Sequence, residues 1–190
     1  AIESDKPVHI LLLGEKGTAK TMFLLDIMKR FKDSYFAVGS NTTKAGMINK
    51  IFESTPKMIC IDELDKMDLD AQESLLNVMQ YGIVSETKKT STREIRHTAW
   101  VFATANRDDI LEELMSRFLV IKIPPYTYEQ FKEIARVKFS HLGTEMIDAL
   151  TNTVWFKLNK KDFREVEKLS NLCKTVDELA QTVEDMLCYK

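Results

Sequence analysis

The chain has 190 residues, of which 44% are hydrophobic and 29% charged, and its formal net charge is −2. That is length enough for one substantial core with a small satellite, and the charge balance excludes a whole-protein basic field, so any nucleic-acid contact needs a local patch. Cys60, Cys173 and Cys188 are too few and scattered for a disulfide framework or a zinc site; no run is long enough to span a bilayer and no leader peptide is visible, so the expectation is a cytoplasmic protein.

In chain order, residues 8–13 form a continuous apolar run that ends in Gly14. Residues 58–61, 99–105 and 119–123 read the same way, and 35–38 more weakly. Continuous rather than alternating runs predict strands covered on both faces, as in a parallel sheet. Helical patterns separate them. Leu24, Ile27, Met28 and Phe31 share a face, as do Leu75, Leu76 and Met79. Asp70 and Glu73 suit a capping box, and Gly82 suits a stop. Strands alternating with helices predict an α/β core of about five strands.

The pattern changes at Pro124-Pro125, after which no strand-like run appears. Thr127 suits the cap of a helix reaching about residue 141, and further helices are predicted near 144–157, 161–172 and 175–188. The expected division is an α/β domain over 1–125 and a helical domain over 126–190.

Between the first strand and the first helix lies Gly14-Glu15-Lys16-Gly17-Thr18-Ala19-Lys20-Thr21. Backbone N–H groups at a helix N-terminus bind anionic oxygens, aided by the helix dipole. In that reading Lys20 reaches the β- and γ-phosphates of a nucleotide and the Thr21 hydroxyl sits on Mg²⁺. Ala19 stands where the strict pattern has glycine; so small a side chain permits close backbone approach, provided φ is negative. The third strand runs directly into Asp62-Glu63, at the sheet edge where ligands of open α/β folds bind. Asp62 is the expected Mg²⁺ ligand, and Glu63 the group that polarises a water for attack on the γ-phosphate. Asp65 and Asp68 follow.

These two motifs, with Trp100-Val101-Phe102-Ala103-Thr104-Ala105-Asn106 and Leu114-Met115-Ser116-Arg117-Phe118, resemble the AAA+ ATPase family. The resemblance covers nearly the whole chain. It implies a P-loop parallel sheet of order 5-1-4-3-2 sandwiched by helices, a small helical lid, and Mg-ATP sites at the subunit interfaces of a ring, commonly a hexamer. It implies that Asn106 is the sensor that positions the attacking water and that Arg117 is the finger reaching a neighbour's γ-phosphate. Arg164 lies where the lid's sensor arginine is expected. The order of motifs most resembles RuvB-type branch-migration motors, with MCM-like and MoxR-like features; the alanine in the phosphate loop is the more MCM-like. The chain looks like an ATPase core from a larger protein.

Residues 83–97 carry Lys88, Lys89, Arg93 and Arg96 among Ser and Thr, flanked by Ile83-Val84 and Ile95. This predicts a hairpin with a basic tip, resembling the pre-sensor hairpin of the same motors, and such a tip contacts DNA phosphates without reading sequence. Glu86 and Glu94 dilute the charge, and no aromatic is present for base stacking. The alternatives are a MoxR-like protein-remodelling chaperone and a nucleotide-gated binding module with slow hydrolysis. Residues 40–48, where many unfoldases carry an aromatic pore loop, contain no aromatic. His9, His97 and His141 show no metal-ligand spacing.

Overall fold

The computed structural model describes residues 7–88 and 91–188, with the side chains of Glu86, Thr87, Lys88 and Ser91 outside that description. The chain divides into two compact units, Ala1–Glu15 with Ala19–Ile123, and Lys16–Thr18 with Pro124–Lys190.

The first unit is built on five parallel strands: β1 (His9–Leu13), β2 (Ser34–Val38), β3 (Met58–Asp62), β6 (Trp100–Ala105) and β7 (Phe118–Lys122). They lie in the order β2-β3-β6-β1-β7. Counting the parallel strands alone, this is the order 5-1-4-3-2 that the family resemblance implies. The apolar runs are continuous because both faces are covered. Leu11, Ile59, Ile61, Val101 and Ala103 point to one face, where they meet Met47, Ile51, Leu75 and Val78 of α2 (Lys44–Ser54) and α3 (Leu69–Tyr81). Met58, Cys60 and Phe102 point to the other, under Leu24 of α1 (Lys20–Arg30). Cys60 is fully buried there, which pushes its thiol up to about 12.

Two details depart from expectation. The cap of α3 is Asp68, whose carboxylate accepts from the Ala71 N–H at 2.7 Å, rather than Asp70. Strand β7 is not covered on both faces: Leu119 and Ile121 are 55% and 41% exposed. The cause is position, since β7 is an edge strand and α1 packs over β3 and β6. Gly82 closes α3 at φ 60, a left-handed conformation that glycine adopts without penalty.

After Gly82, β4 (Ile83–Lys88) and β5 (Ser91–Arg96) form the expected antiparallel hairpin. Val84 pairs with Ile95, and both join the core shared with α2 and α3. The short α4 (Glu112–Met115) then leads into β7.

The second unit holds α5 (Tyr128–Lys138), α6 (Thr144–Asn152), a π-helical continuation over Thr153–Lys157, α7 (Phe163–Leu172) and α8 (Val176–Cys188). Thr127 and Gln130 form a reciprocal capping box at the start of α5. The core comprises Phe131, Leu150, Val154, Val166, Leu169 and Val183, with Phe131 stacked on Phe163 at 4.2 Å between ring centroids. No helix among the described residues is long and apolar enough to cross a membrane.

Candidate active site

The loop after β1 is held by glycine at its entry. Gly14 donates to the Ala105 carbonyl at 3.2 Å, and a Cβ at Gly14 would stand 2.5 Å from the Ile123 carbonyl oxygen. Gly17 has φ +86. Ala19, however, sits at φ 60 and ψ 15, so the negative φ expected of it is not what the loop adopts. The chain must turn through the left-handed region to enter α1, and Ala19 takes that turn with its Cβ in place. A left-handed alanine costs about 1–2 kcal/mol, and its single methyl brings no further side-chain clash. Ala19 supplies no side-chain cap, and the first turn of α1 contains no acidic residue. The helix N-terminus therefore keeps its N–H groups and positive dipole end for an anion.

Lys20 is buried, 7% exposed, and its ammonium donates to the Gly14 and Glu15 carbonyls at 2.8 and 2.7 Å and to Asn106 Oδ1 at 3.3 Å. Burial holds it below the usual lysine value, opposed by the charges of Asp62, Asp65 and Glu63. The Thr21 hydroxyl donates to Asp62 Oδ2 at 2.9 Å. Asp62 ends β3 at 9% exposure, and its Oδ1 also accepts from the hydroxyl of Thr104 on β6. The Glu63 N–H donates to that same Thr104 oxygen at 3.1 Å. Three elements that are remote in sequence thus converge at the carboxyl edge of the sheet: the loop with α1, the end of β3 and the end of β6.

A threonine hydroxyl beside a carboxylate is a hard oxygen donor pair. Mg²⁺ binds through one or two such groups when phosphate and water complete its shell, and it does not require an all-protein cage. Among the described residues there is no cluster of three or more His, Cys, Asp or Glu that would form such a cage. Thr21 and Asp62 suit Mg²⁺ held together with a nucleotide, and Lys20 with the uncapped helix start suits its phosphates.

Glu63 leaves β3 in the left-handed region, at φ 56 and ψ 49. Gly39 lies against it so closely that a Cβ there would overlap the Glu63 carbonyl oxygen. The Glu63 carboxylate pairs with Lys66 at 2.6 Å. Asn106 is fixed from behind, because its N–H donates to Asp65 Oδ1 at 3.1 Å.

Arg117 stands apart from this network, exposed between the buried Leu114 and Phe118. Arg164 belongs to the other unit, exposed on α7, with Nε 3.6 Å from Asp162. Lys16, Gly17 and Thr18, at the tip of the loop, are also grouped with that unit.

On the hairpin, Lys89 lies outside the described residues, as does the Lys88 side chain. Arg96 is exposed. Arg93 corrects the picture of a free basic tip. Its guanidinium donates to Asn49 Oδ1 at 2.8 Å and lies 4.7 Å from the Phe52 ring centroid, so it anchors the hairpin on α2. The alternation of the strand explains this: Arg93 falls on the same face as Ile95, which packs inward.

Two residues of this edge carry no sequence signal as strong as their role. Thr104 is a polar interruption of an apolar strand two positions before Asn106. Gln72 is 2% exposed and bonds at both ends, donating to the Met67 carbonyl at 2.9 Å and accepting from the Leu111 N–H at 2.9 Å. It ties the loop after Glu63 to the segment leading to Arg117.

Comparison with known proteins agrees with this geometry. Residues 10–125 match the model of the ATPase family associated with various cellular activities (AAA). A Thermotoga maritima RuvB structure (P216G mutant) superposes with a TM-score of 0.72 at 17% identity, covering 93% of this chain and 62% of that one. The Thermotoga maritima RuvB Holliday junction branch migration motor gives 0.68 at 18% identity, covering 93% and 61%. In sequence, the DNA replication licensing factor Mcm5 of Drosophila melanogaster is 23% identical over 160 residues, 69% of this chain and 22% of its own length. The proteasome-activating nucleotidase of Methanocella arvoryzae is 26% identical over 151 residues, 70% of this chain and 36% of its own. This chain therefore spans only a minor part of these sequence relatives. With the family model matched over most of the chain, the phosphate loop, acidic pair and sheet order have one common explanation: the chain belongs to the AAA family of ATPases.

Proposed function

We propose that this chain is the Mg-ATP-hydrolysing core of an oligomeric ring, commonly six subunits in this family, that moves DNA in the manner of a RuvB-related motor. The observation that carries the reading is the pair of bonds Lys20–Asn106 and Thr21–Asp62, which draw the loop, β3 and β6 to one point on the sheet edge. Residues Gly14, Glu15, Lys16, Gly17, Thr18 and Ala19 wrap the phosphates with backbone N–H groups. Lys20 supplies the buried positive charge to the β- and γ-phosphates. Thr21 and Asp62 hold Mg²⁺, which neutralises charge on the phosphates when bound. Glu63 accepts a proton from the attacking water, and Asn106 holds that water in line. Arg117 serves a neighbouring subunit's γ-phosphate, and its exposure on the strand-entry turn suits a group that acts outside its own subunit. Arg164, on α7 of the second unit, keeps the sensor-arginine role that the family resemblance implies.

DNA enters through relatives whose names concern DNA replication and Holliday junction migration. With Arg93 engaged on α2, we assign phosphate contact on the hairpin to Lys88, Lys89 and Arg96. The competing reading, protein remodelling, draws support from the proteasome-activating nucleotidase relative. One assay separates them: ATP turnover measured with forked or four-way DNA and with an unfolded protein, beside a Glu63→Gln control. Stimulation by DNA that fades with added salt and with removal of the Lys88 and Lys89 charges supports the DNA motor. Stimulation by protein alone overturns it in favour of remodelling.

A further inference from the structure

The helical unit carries an aromatic surface that none of the roles assigned above uses. Helix α6 passes into the π turn over Thr153–Lys157, where the Leu158 N–H donates to the Thr153 carbonyl at 2.9 Å. Consecutive residues of an α-helix do not face a common neighbour. The wider π turn swings them toward one side, and such turns recur at functional sites. Here it brings both Trp155 and Phe156 onto Tyr128 of α5, with ring centroids 5.7 and 4.9 Å from the tyrosine ring. Val154 is fully buried and Trp155 half-buried, but Phe156 is 64% exposed. Tyr128 is fixed by its hydroxyl, which donates to Asn152 Oδ1 at 2.6 Å, and Trp155 is backed by Phe131 at 5.2 Å. Phe156 is thus a solvent-facing ring on a rigid aromatic support.

Its surroundings are cationic. Residues 155–161 hold Lys157, Lys160 and Lys161 and no acid. The acids that follow are engaged: Glu165 pairs with Lys160 and Lys168 at 3.0 and 2.9 Å, and Asp162 accepts from the Arg164 N–H at 2.9 Å to cap α7. Lys161 Nζ lies 5.1 Å from the Trp155 ring centroid. Among the described residues neither Lys157 nor Lys161 pairs with a carboxylate. A flat exposed ring beside uncompensated cations suits a strand of nucleotides, because each unit of such a strand carries both a base and a phosphate. An acidic peptide matches the lysines alone.

We propose that this face of the helical unit binds single-stranded nucleic acid, stacking a base on Phe156 and holding its phosphates on Lys157 and Lys161. The contact reads no sequence, since every base has a flat face. It differs in kind from the hairpin, whose residues 83–97 include no aromatic for a base to stack on. It requires neither ATP nor the hairpin, so it is independent of the motor reading.

The test is fluorescence anisotropy of labelled oligo(dT) and oligo(U) with the full chain, without nucleotide and over a range of salt. The wild-type chain should bind at least one of them, and the tighter strand identifies the preferred sugar. Phe156→Ala should weaken binding by roughly 5–150-fold, the range for loss of one stacked base. Phe156→Leu keeps the apolar bulk without the flat ring and should weaken it comparably, whereas Phe156→Trp should retain it. The side chain lies mostly outside the core, so thermal unfolding should stay near wild type in all three. Lys157→Gln with Lys161→Gln should lower the slope of log affinity against log salt by about 0.7 for each charge removed. The effect of Phe156→Ala should persist when Lys88→Gln and Lys89→Gln are also present, which separates this contact from the hairpin. Failure of the wild-type chain to bind either strand, or full binding by Phe156→Ala or Phe156→Leu, overturns the proposal. Displacement of the strand by Mg-ATP also overturns it and assigns the surface to the nucleotide site. Tighter binding of a polyglutamate peptide than of either strand overturns it in favour of an acidic protein partner.

Discussion

The carboxyl edge of the parallel sheet and the β4–β5 hairpin are built in opposite ways. At the edge, polar side chains from three remote segments are buried and bonded to one another: Lys20 at 7% exposure, Asp62 at 9% and Thr104 at 1%. No one of them can move without breaking a bond to another segment. The hairpin is local in sequence, contributes Val84 and Ile95 to the core, and is pinned at its outer part by Arg93 on Asn49 and Phe52. Preorganised charge is what phosphoryl transfer needs, since its catalysis is mostly positioning and electrostatics. A contact surface for a sliding polymer needs reach instead. On the proposed function, the difference fits chemistry at the edge and handling of the substrate at the hairpin.

That contrast can be broken by substitution, starting with the largest effect. Arg117→Ala should lower turnover by roughly 10³–10⁵-fold, about 4–7 kcal/mol of barrier, while ATP binding stays nearly intact. Normal steady-state turnover in that variant removes Arg117 from the site. Next in size, Thr104→Val keeps the shape of β6 but leaves the Glu63 N–H without its partner and removes one of the two hydroxyls that bond Asp62 Oδ1. A buried unsatisfied group costs about 1–3 kcal/mol, so the melting temperature should drop and turnover with it. The corresponding hairpin change, Arg93→Met, forfeits the exposed hydrogen bond to Asn49 and the cation–π contact with Phe52. It should cost about 1 kcal/mol and leave turnover without substrate untouched, as read by thermal unfolding and basal kcat. If Arg93→Met cripples basal turnover, the separation of the two regions fails.

Two smaller effects sharpen the picture of the edge itself. Ala19→Gly relieves a left-handed Cβ, offset by the entropy glycine loses on folding, for a net gain within about 1 kcal/mol and no loss of ATP affinity. Strongly weakened ATP binding in Ala19→Gly would show that the Cβ has a role of its own. His9, buried on β1, accepts from the Val101 N–H at 3.1 Å through Nδ1, and burial holds it below the ordinary imidazole value, partly offset by a bond to the Met79 backbone. As pH falls below about 6.5 the unfolded chain takes up the proton first, so stability should decline with acidification through that window. Thermal unfolding at pH 7 and 5.5 measures this, and His9→Gln should flatten the decline.

The sheet, the helices and the two nucleotide motifs were legible because each is written in local pattern. Continuous apolar runs mark strands buried on both faces, and a glycine loop between strand and helix marks a phosphate site. What sequence reading missed depends on register. Parallel pairing of Ile61 with Ala103 sets Asp62 beside Thr104, and no local pattern reveals that. Lys66 reaches Glu63 through a 3-10 turn over Leu64–Lys66, which the stretch Glu63-Leu64-Asp65-Lys66 does not announce. The direction of Arg93 follows from which residue of β5 meets α2, and the open face of β7 from how far α1 extends across the sheet. Ala19 is a different case: a backbone angle, not a side-chain preference, decided it.

The central claim is that this sheet edge is a nucleotide site, and Lys20 is its most buried positive charge. Titration of Mg-ATP into the wild-type chain and into Lys20→Met tests it directly. Charge-assisted hydrogen bonds are worth about 1.5–3 kcal/mol each, and an ammonium shared by two phosphates makes at least two, so the account predicts a loss of affinity of roughly 10²–10⁴-fold with the fold intact. Equal affinity in the two proteins would contradict it.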